Sequence, residues 1–434
     1  MNYLWSLFLL FFLNACSQVN TLAYGDITDL KELPQTAISY TTSLDENKSL
    51  YEVQLQYEKH YFRAWHMQLS KISIETMRWP FKSYTPKNSY GENLEPISQA
   101  FLDRLNTNTD FDKYASVNAK AITVKQSNLR ALPTDKPFFN DPRKAGEGFP
   151  FDYLQESSIH VNEPILVSHY SLDGAWAYVS TSYASGWIHI NDLVLLSDQQ
   201  CQEFENAKKI SITVDDFPIK DDKNQFLYYS KIGMQFPILQ ATNDNYYASV
   251  IVAGTDSSAV YKHIIIPKSI ATADVLALNQ QNITTLVDAI VHTHYGWGGM
   301  YGERDCSSTL KDLFTPFGIW LPRNSSYQAK VGKIISLSGL GDNAKIALIK
   351  KEGVPFQTLL HKKGHILLYT GVYDNKIVVM HNLWGIKISD GGKDGRIIVG
   401  KTVFSTLEIG KEQKFYSGSL LSKLDSMNIL TLKP

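Results

Sequence analysis

The sequence predicts a multidomain protein with a small helical N-terminal domain, two small β-barrels and a C-terminal α+β domain. Three observations support this prediction. A chain of 434 residues exceeds what one hydrophobic core holds, so two to four domains are expected. The hydrophobic pattern changes along the chain from helical to strand-like and then to mixed. In the last third, one cysteine follows a glycine-rich run and begins an amphipathic helix, with apolar strand-like runs after it.

Residues 1–16 predict a targeting segment rather than part of a folded domain. The apolar run from Leu7 to Leu13 is too short to span a membrane, and Asn-Ala-Cys16 follows it. This end is similar to a bacterial lipobox, whose cysteine is lipidated and becomes the mature N-terminus. The alternative is a plain signal peptide cleaved near Ala15. Both predict export, and a lipidated Cys16 would anchor the protein to the periplasmic side of a membrane.

Upstream of the last domain, the pattern predicts a tether, a helical domain and two barrels. Residues 17–40 are polar without periodicity, and residues 41–115 carry two helical runs separated by a loop. Short β-branched runs separated by turn residues predict the first barrel at 116–198, with a hairpin turn at Leu172-Asp-Gly. Similar runs predict the second barrel at 199–270.

Residues 271–434 predict an α+β domain in which helices precede an antiparallel sheet. The stretch from Val275 to His292 has a helical apolar face, and a second helix is expected near Ser326–Val331. Strands are expected from there to about residue 409. A layout in which the cysteine-bearing helix packs on the sheet satisfies this order.

Cys306 is the strongest candidate for a catalytic group. Asp305 is typical of a helix N-cap, and the helix that follows places Cys306 in its first turn. There the helix dipole favours a negative charge, and a nearby imidazole would lower the pKa of the thiol further. Because a thiolate is a strong nucleophile, the pattern indicates acyl-transfer chemistry.

Two downstream histidines fit the other roles of a catalytic triad. His365 begins one apolar strand-like run and His381 ends another, so paired strands would place both imidazoles beside the helix start. We expect His365 to be the general base for Cys306 and His381 to orient its ring. His292 and His294 are alternatives close to the nucleophile in sequence, at a helix end where histidine commonly complements the dipole.

Taken together, these motifs resemble the NlpC/P60 family of cell-wall cysteine peptidases. The resemblance implies a papain-like fold and a Cys-His-His triad of Cys306, His365 and His381. Upstream, the segments near Leu129 and Gly186 look like the first of two bacterial SH3-like (SH3b) barrels, so the resemblance spans nearly the whole mature chain. The matching catalytic segments are Tyr295-Gly-Trp-Gly-Gly, Asp305-Cys-Ser, Leu321-Pro-Arg-Asn-Ser-Ser-Tyr-Gln, Gly364-His365 and His381.

The resemblance also implies a substrate. Family members mostly cut peptidoglycan stem peptides between the D-γ-glutamyl residue and the diamino acid, and an SH3-like barrel against the active site favours stems with a free N-terminal L-alanine. Asp305 and Ser307, with Tyr295 nearby, would bind the alanine amine and the glutamyl group. Asp152 and Tyr153 of the first barrel would close the pocket. A simple N-cap for Asp305 and core packing for Tyr295 are the alternatives.

Composition narrows the remaining function classes. The net charge is −1, and the sequence has no basic stripe or zinc-binding spacing, so no nucleic-acid partner, metal or cofactor is expected. The three cysteines are far apart and predict no disulfide framework. Two alternatives stay open: an N-acetylmuramoyl-L-alanine amidase or acyltransferase that uses the same triad, and a non-catalytic envelope binding module. The sequence carries no signal for an oligomeric state.

Overall fold

The computed structural model of the protein describes residues 22–23, 25–41, 50–69, 73–390 and 392–430. The predicted targeting segment, with Cys16, lies outside these residues. Within them, short helices come first, two compact β-sheet units follow, and a helix-and-sheet domain completes the order, which confirms the predicted multidomain layout. No helix in this described part is both long and apolar enough to cross a membrane.

The N-terminal helices pack onto the barrels instead of forming a core of their own. Phe62 and Trp65 lie in one buried cluster with Ile122 of the first barrel and Ile251 of the second. The indole of Trp65 also donates to the backbone oxygen of Ala121 at 3.0 Å. The elements of this region are strand β1 (Leu22–Ala23), helices α1 (Thr28–Glu32), α2 (Leu50–Tyr61), α3 (Ile74–Met77), α4 (Trp79–Ser83) and α5 (Gln99–Asn108), and 3-10 turns at Ala37–Ser39, Arg63–His66 and Phe111–Lys113.

Residues 25–41 differ from the predicted tether, because they are bound to the C-terminal domain. The side-chain amide of Gln35 bonds to the backbone N–H and the backbone oxygen of Phe404, each at 3.0 Å, as a neighbouring strand would. The carboxylate of Asp288 accepts the backbone N–H of Ala37 at 2.7 Å. This segment is held in place by hydrogen bonds of polar side chains rather than by apolar packing. A segment held in this way has the polar composition of a tether, which is why the sequence predicted one.

Seven short strands build the first barrel, and a turn of the predicted kind connects two of them. The strand order is β4-β3-β7-β6-β5-β2-β8, and the strands are β2 (Ala119–Thr123), β3 (Ser127–Arg130), β4 (Gln155–Ile159), β5 (Pro164–Tyr170), β6 (Trp176–Ser180), β7 (Ser185–His189) and β8 (Leu193–Leu195). The turn between β5 and β6 contains Gly174, whose φ of +70° favours glycine. The hairpin predicted at Leu172-Asp-Gly is therefore confirmed.

The second barrel opens with a helix that was not predicted, α6 (Asp198–Asn206). Ser197 and Gln200 cap this helix reciprocally, with bonds of 3.2 and 2.9 Å. The strands form a sheet of order β14-β13-β12-β9-β15 and a separate β10-β11 hairpin. Their bounds are β9 (Lys209–Ile212), β10 (Pro218–Lys220), β11 (Phe226–Tyr229), β12 (Gln235–Ala241), β13 (Asn245–Ala253), β14 (Ala259–Pro267) and β15 (Ala271–Thr272).

The C-terminal domain packs helices against a seven-stranded sheet that is antiparallel except where β1 joins it. Leu286 and Leu310, from two helices, share one buried cluster with Leu368 and Met380 of the sheet. The helices are α7 (Gln280–Ile290), α8 (Cys306–Phe314), α9 (Ser325–Gln328), α10 (Asp342–Glu352) and α11 (Leu420–Lys423). The strands are β16 (Lys333–Ser336), β17 (Thr358–Lys362), β18 (His365–Tyr373), β19 (Lys376–Asp390), β20 (Lys393–Thr406) and β21 (Ser426–Ile429), in the order β1-β20-β19-β18-β17-β21-β16.

Helices α10 and α11 and strand β21 of this domain were not predicted. Helix α10 buries Lys345, whose ammonium donates to the backbone oxygens of Ser422 and Leu424 at 2.8 Å. A charged residue thus occupies a position that helical periodicity assigns to an apolar one. Strand β21, from the tail left unassigned, lies between β17 and β16.

A buried asparagine joins the two barrels and generates a prediction about stability. The side chain of Asn162 donates to the backbone oxygen of Ile251 and accepts its N–H, both at 2.8 Å. We expect Asn162→Ala to lower the free energy of unfolding by about 2–4 kcal/mol, because two buried backbone groups lose their partners. Thermal and urea unfolding would measure the change.

Asn118→Ala is the matched control for this variant. Asn118 is exposed and has a left-handed backbone, with φ 46° against 56° at Asn162, but it makes no bond between barrels. An equal loss of stability in both variants would contradict a role for the Asn162 bonds, since it would trace the loss to backbone strain.

Candidate active site

Cys306 begins helix α8 and lies half-buried in a cleft. Asp305 caps the helix, since its Oδ1 accepts the backbone N–H groups of Ser307 at 3.1 Å and Ser308 at 2.9 Å. The hydroxyl of Ser308 accepts the N–H of Asp305 at 2.9 Å, which completes a capping box. The N–H of Cys306 bonds to no other described residue, so the first turn keeps an unused donor beside the sulfur.

His365 and His381 lie side by side on neighbouring strands. The Nε2 of His365 is 2.8 Å from Nδ1 of His381, and the Nε2 of His381 is 2.9 Å from the hydroxyl oxygen of Ser405. Ser405 donates its own hydroxyl to the backbone oxygen of Thr406 at 3.0 Å. Its oxygen therefore accepts the Nε2 proton of His381.

This line of hydrogen bonds fixes the tautomer of both imidazoles. Because His381 donates through Nε2, its neutral ring accepts at Nδ1 and takes the Nε2 proton of His365 in a hydrogen bond. His365 then has its lone pair on Nδ1, which bonds to no residue in the described part of the protein. Ser405 had no signal in the sequence, because nothing distinguishes it from other strand serines.

The structure brings the cysteine and the histidine pair together. Cys306 and His365 line the same cleft, a cavity of about 330 Å³. The backbone N–H of Ile366, directly after His365, bonds to the Cys306 sulfur. Donors at the sulfur favour its anionic form, so the geometry suits a cysteine that transfers its proton to an adjacent base.

Burial determines the resting protonation states of Cys306, His365 and His381. Burial, with a further contribution from the Asp305 carboxylate, raises the pKa of Cys306 to about 12. Burial, and then His381, lowers the pKa of His365 well below its ordinary value, and burial lowers the pKa of His381 to about 3. The resting cleft therefore holds a neutral thiol and neutral imidazoles.

A buried arginine binds the side chains of both Asp305 and Ser307. Arg323 donates to the carboxylate of Asp305 at 2.6 Å and to the hydroxyl of Ser307 at 2.9 Å. It also donates to the hydroxyl of Ser157 in the first barrel at 2.8 Å. The carboxylate of Asp305, which was predicted to bind an amine, is thus already paired with a guanidinium in this structure, and its role toward a substrate stays a prediction. Arg323 lies in a segment of the family resemblance, but sequence does not reveal its partners.

The glycine-rich loop before Cys306 packs directly on the first barrel. Gly298 has a φ of +59°, and a Cβ there would lie 2.6 Å from the backbone oxygen of Gln155. The indole of Trp297 donates to the backbone oxygen of Asp152 at 2.8 Å. Only glycine allows this close approach, so the barrel forms one wall of the site.

The barrel residue that lines the cleft is Phe151 rather than the predicted Asp152 or Tyr153. Asp152 is buried in an ion pair with Arg130. The hydroxyl of Tyr153 donates to Glu147 at 2.9 Å. Both predicted residues therefore stabilise the barrel loop. Burying a charge requires a partner, and the sequence alone does not show that Asp152 has one.

Aromatic rings close the barrel end of the cleft. The ring of Phe151 packs edge-on against Trp297 at 5.2 Å and against Trp384 at 5.6 Å. Tyr295 also lines the cleft, and its ring lies 6.0 Å from that of Trp384. The hydroxyl of Tyr295 bonds to no described residue, and burial, followed by the charges at Cys306 and Asp305, raises its pKa. Tyr295 is thus a neutral hydroxyl available to a bound molecule.

A second ion network holds the far face of α8. Arg304 donates to Asp312 at 2.6 Å and to Asp215 of the second barrel at 2.9 Å. His160 of the first barrel lies 3.1 Å from the other oxygen of Asp312. The helix that begins with Cys306 is therefore bonded to both barrels, and nothing in the sequence indicated these long-range pairs.

The remaining histidine candidates lie elsewhere. His292 and His294 follow α7 and do not line the cleft, and His294 faces Glu303 at 3.8 Å. Among the residues that the structure describes, no group of three or more His, Cys, Asp or Glu side chains is placed to hold a metal ion.

Models of four known domain families match the protein. The NlpC/P60 family model matches residues 292–383, and the model of its N-terminal stabilising domain matches residues 3–114. SH3 domain models of the SH3b1 and SH3b2 types match residues 137–189 and 197–243. No match was found among curated proteins.

A solved structure shares the fold. An NlpC/P60 endopeptidase from Photobacterium damselae subsp. piscicida is 23% identical with a TM-score of 0.82, and the match covers 94% of this chain and 99% of that one. An NlpC/P60 family protein from Bacillus cereus ATCC 10987 is 13% identical with a TM-score of 0.48, covering 71% and 99%. In succession, the protein is thus similar to a helical stabilising region, two SH3b domains and an NlpC/P60 domain, and members of the NlpC/P60 family are generally cysteine peptidases.

Proposed function

We propose that this protein is an exported cysteine endopeptidase that hydrolyses the D-γ-glutamyl–diamino acid bond of peptidoglycan stem peptides with a free N-terminal L-alanine. The observation that carries the proposal is the hydrogen-bonded line from Ser405 through His381 to His365. It leaves the Nδ1 lone pair of His365 free to accept the thiol proton of Cys306, which lines the same cleft. A binding module would have no need of this arrangement. Similarity to the family supports the substrate class.

Catalysis begins when Nδ1 of His365 takes the thiol proton of Cys306. The thiolate attacks the γ-carbonyl carbon, and the unused backbone N–H of Cys306 is a donor for the resulting oxyanion, a contribution of about 3–4 kcal/mol. Protonated His365 gives its proton to the leaving amine as the C–N bond breaks, and water then hydrolyses the thioester. His381 holds the base in its tautomer throughout.

The closed barrel end supports the preference for a free alanine amine. Phe151, Trp297 and Trp384 line the cleft and pack against one another, and we infer that they exclude a stem still attached to a glycan. The free hydroxyl of Tyr295 lies at this end and would accept or donate to the first residues of the stem. We assign Asp305 and Ser307 the indirect role of placing Arg323 and the helix start.

The first test compares L-Ala-γ-D-Glu-diaminopimelate with its N-acetylated form, with products followed by mass spectrometry. We expect only the free-amine stem to be cut, and Cys306→Ala to lower the rate by about a millionfold because the nucleophile is lost. Phe151→Ala should open the barrel end and raise the rate on the acetylated stem. Equal cleavage of both stems by the wild-type protein would rule out a closed end, and activity in Cys306→Ala would rule out the mechanism.

The pH dependence of kcat/KM provides a second test. Burial and His381 lower the pKa of His365, so the imidazole stays neutral and able to accept a proton as the pH falls through 6.5. We therefore expect the acid limb of the profile below pH 6.5. A limb at or above that value would mean that the base is a solvated histidine in the free enzyme.

We also propose that Cys16 carries the lipid that holds the protein at the envelope. The apolar run before Cys16 and the typical envelope association of family members support this. In a bacterial host, wild-type protein should incorporate a labelled fatty acid and fractionate with membranes, whereas Cys16→Ser should lose the label. Secretion of unlabelled wild-type protein would instead favour a plain signal peptide cleaved near Ala15.

A further inference from the structure

The cleft has a cationic lining. Of the described residues that line it, four are Lys or Arg and none is Asp or Glu; the four cations are Lys362, Lys387, Arg396 and Lys423. Lys387 is paired with Asp394 at 2.7 Å. The other three have no carboxylate within 4 Å among the described residues. A cleft of a nearly neutral protein thus concentrates unpaired positive charge.

Lys362 is the cation of this set whose charge reaches Cys306, and Lys423 lies close to Lys362. Lys362 ends β17 opposite His365, and its ammonium contacts only the backbone oxygen of Lys363, at 3.3 Å. Burial, and then the positive charge of Lys423, lowers the pKa of Lys362, while the charge at Cys306 acts in the opposite direction. Two ammonium groups held close together without a carboxylate between them repel each other, and an anion would relieve that repulsion.

The surrounding structure keeps this pair unneutralised. The carboxylate of Asp425, whose charge also reaches Lys362, is bound by Nδ1 of His361 at 2.7 Å. The buried ammonium of Lys345 donates to the backbone oxygens of Ser422 and Leu424, which flank Lys423 at the end of α11. The bonds from Lys345 fix α11, and His361 already binds the carboxylate of Asp425. Lys423 is therefore held at the cleft without a carboxylate partner among the described residues.

We propose that Lys362 and Lys423 bind a free carboxylate on the side chain of the leaving diamino acid. The inference rests on the proposed function, which places the alanine end of the stem against Phe151 and so directs the diamino acid toward the two lysines. Diaminopimelate carries this carboxylate, whereas lysine at the same position does not. Charge-assisted bonds to a carboxylate favour the first over the second.

Binding to the inactive Cys306→Ala protein tests this site separately from catalysis. Calorimetry would compare L-Ala-γ-D-Glu-diaminopimelate with three analogues. In the first, the side-chain carboxylate of diaminopimelate is an amide; in the second, its backbone C-terminal carboxylate is an amide; in the third, lysine replaces diaminopimelate. We expect the side-chain amide and the lysine peptide to bind about tenfold more weakly than the parent. The backbone amide should bind like the parent peptide. An effect confined to the backbone amide, or equal binding of all four, would overturn the proposal.

Substitutions in the same background assign the effect to named residues. Lys362→Gln and Lys423→Gln should each reduce the tenfold preference, and Lys423→Arg should retain it because the charge remains. Lys387→Gln is the matched control, since it removes a cleft cation that is already paired. A preference unchanged in both Lys362→Gln and Lys423→Gln proteins of normal melting temperature would overturn the site.

The two proposals fail in different ways. If the inactive protein prefers the peptide with the free carboxylate on its side chain and wild-type protein cuts none of the peptides, the carboxylate site stands and the endopeptidase assignment fails. If wild-type protein cuts diaminopimelate and lysine stems with equal kcat/KM and binding shows no preference, the assignment stands and the carboxylate site fails.

Discussion

Buried charge pairs determine where helix α8 lies, and the position of Cys306 depends on that helix. Asp305 pairs with Arg323 at the start of the helix, while Asp312 pairs with Arg304 on its far face, and Arg304 extends to Asp215. Removing one partner of a buried pair typically costs about 3–5 kcal/mol, because the other charge is left unpaired in a poor solvent. Since Asp215 belongs to the second barrel and Arg323 also bonds to the first, the barrels cannot move away from α8 without this loss. The barrels are therefore part of the site.

The same exclusion of water explains how the cleft works chemically. In water a thiol and an imidazole exchange protons with solvent, but burial in the cleft raises the pKa of Cys306 and lowers the pKa of His365. Charge separation then becomes favourable only when both charges are stabilised together. The helix start and the Ile366 N–H stabilise the sulfur, and the bond from His365 to His381 stabilises the ring. The pair reacts as a unit, and its proton stays within the site.

The sequence predicted the parts of the site that depend on local chemistry. The N-cap at Asp305, the helix that follows and the hairpin before β6 are specified by neighbouring residues, and the structure has all three. Apart from the meeting of Cys306 with His365 and His381, the sequence did not predict partners that are distant along the chain. Asp152 and Asp305 are carboxylates near the cleft, and only the fold shows that arginines occupy them. Helix α10 was missed for a related reason, since its buried Lys345 breaks the apolar pattern on which the prediction relied.

The two ends of the cleft differ in their chemistry, so a bound peptide has a preferred orientation. At one end, the barrel contributes Phe151 to a cluster of rings that leaves little room for a longer ligand. At the other end, Lys362 and Lys423 line the cleft without carboxylate partners in the described structure. On the proposed function, a stem peptide with its alanine amine at the aromatic end and the carboxylates of diaminopimelate at the lysine end brings opposite charges together, which the reverse orientation does not. This orientation would bring the γ-carbonyl, rather than the alanine carbonyl, to Cys306.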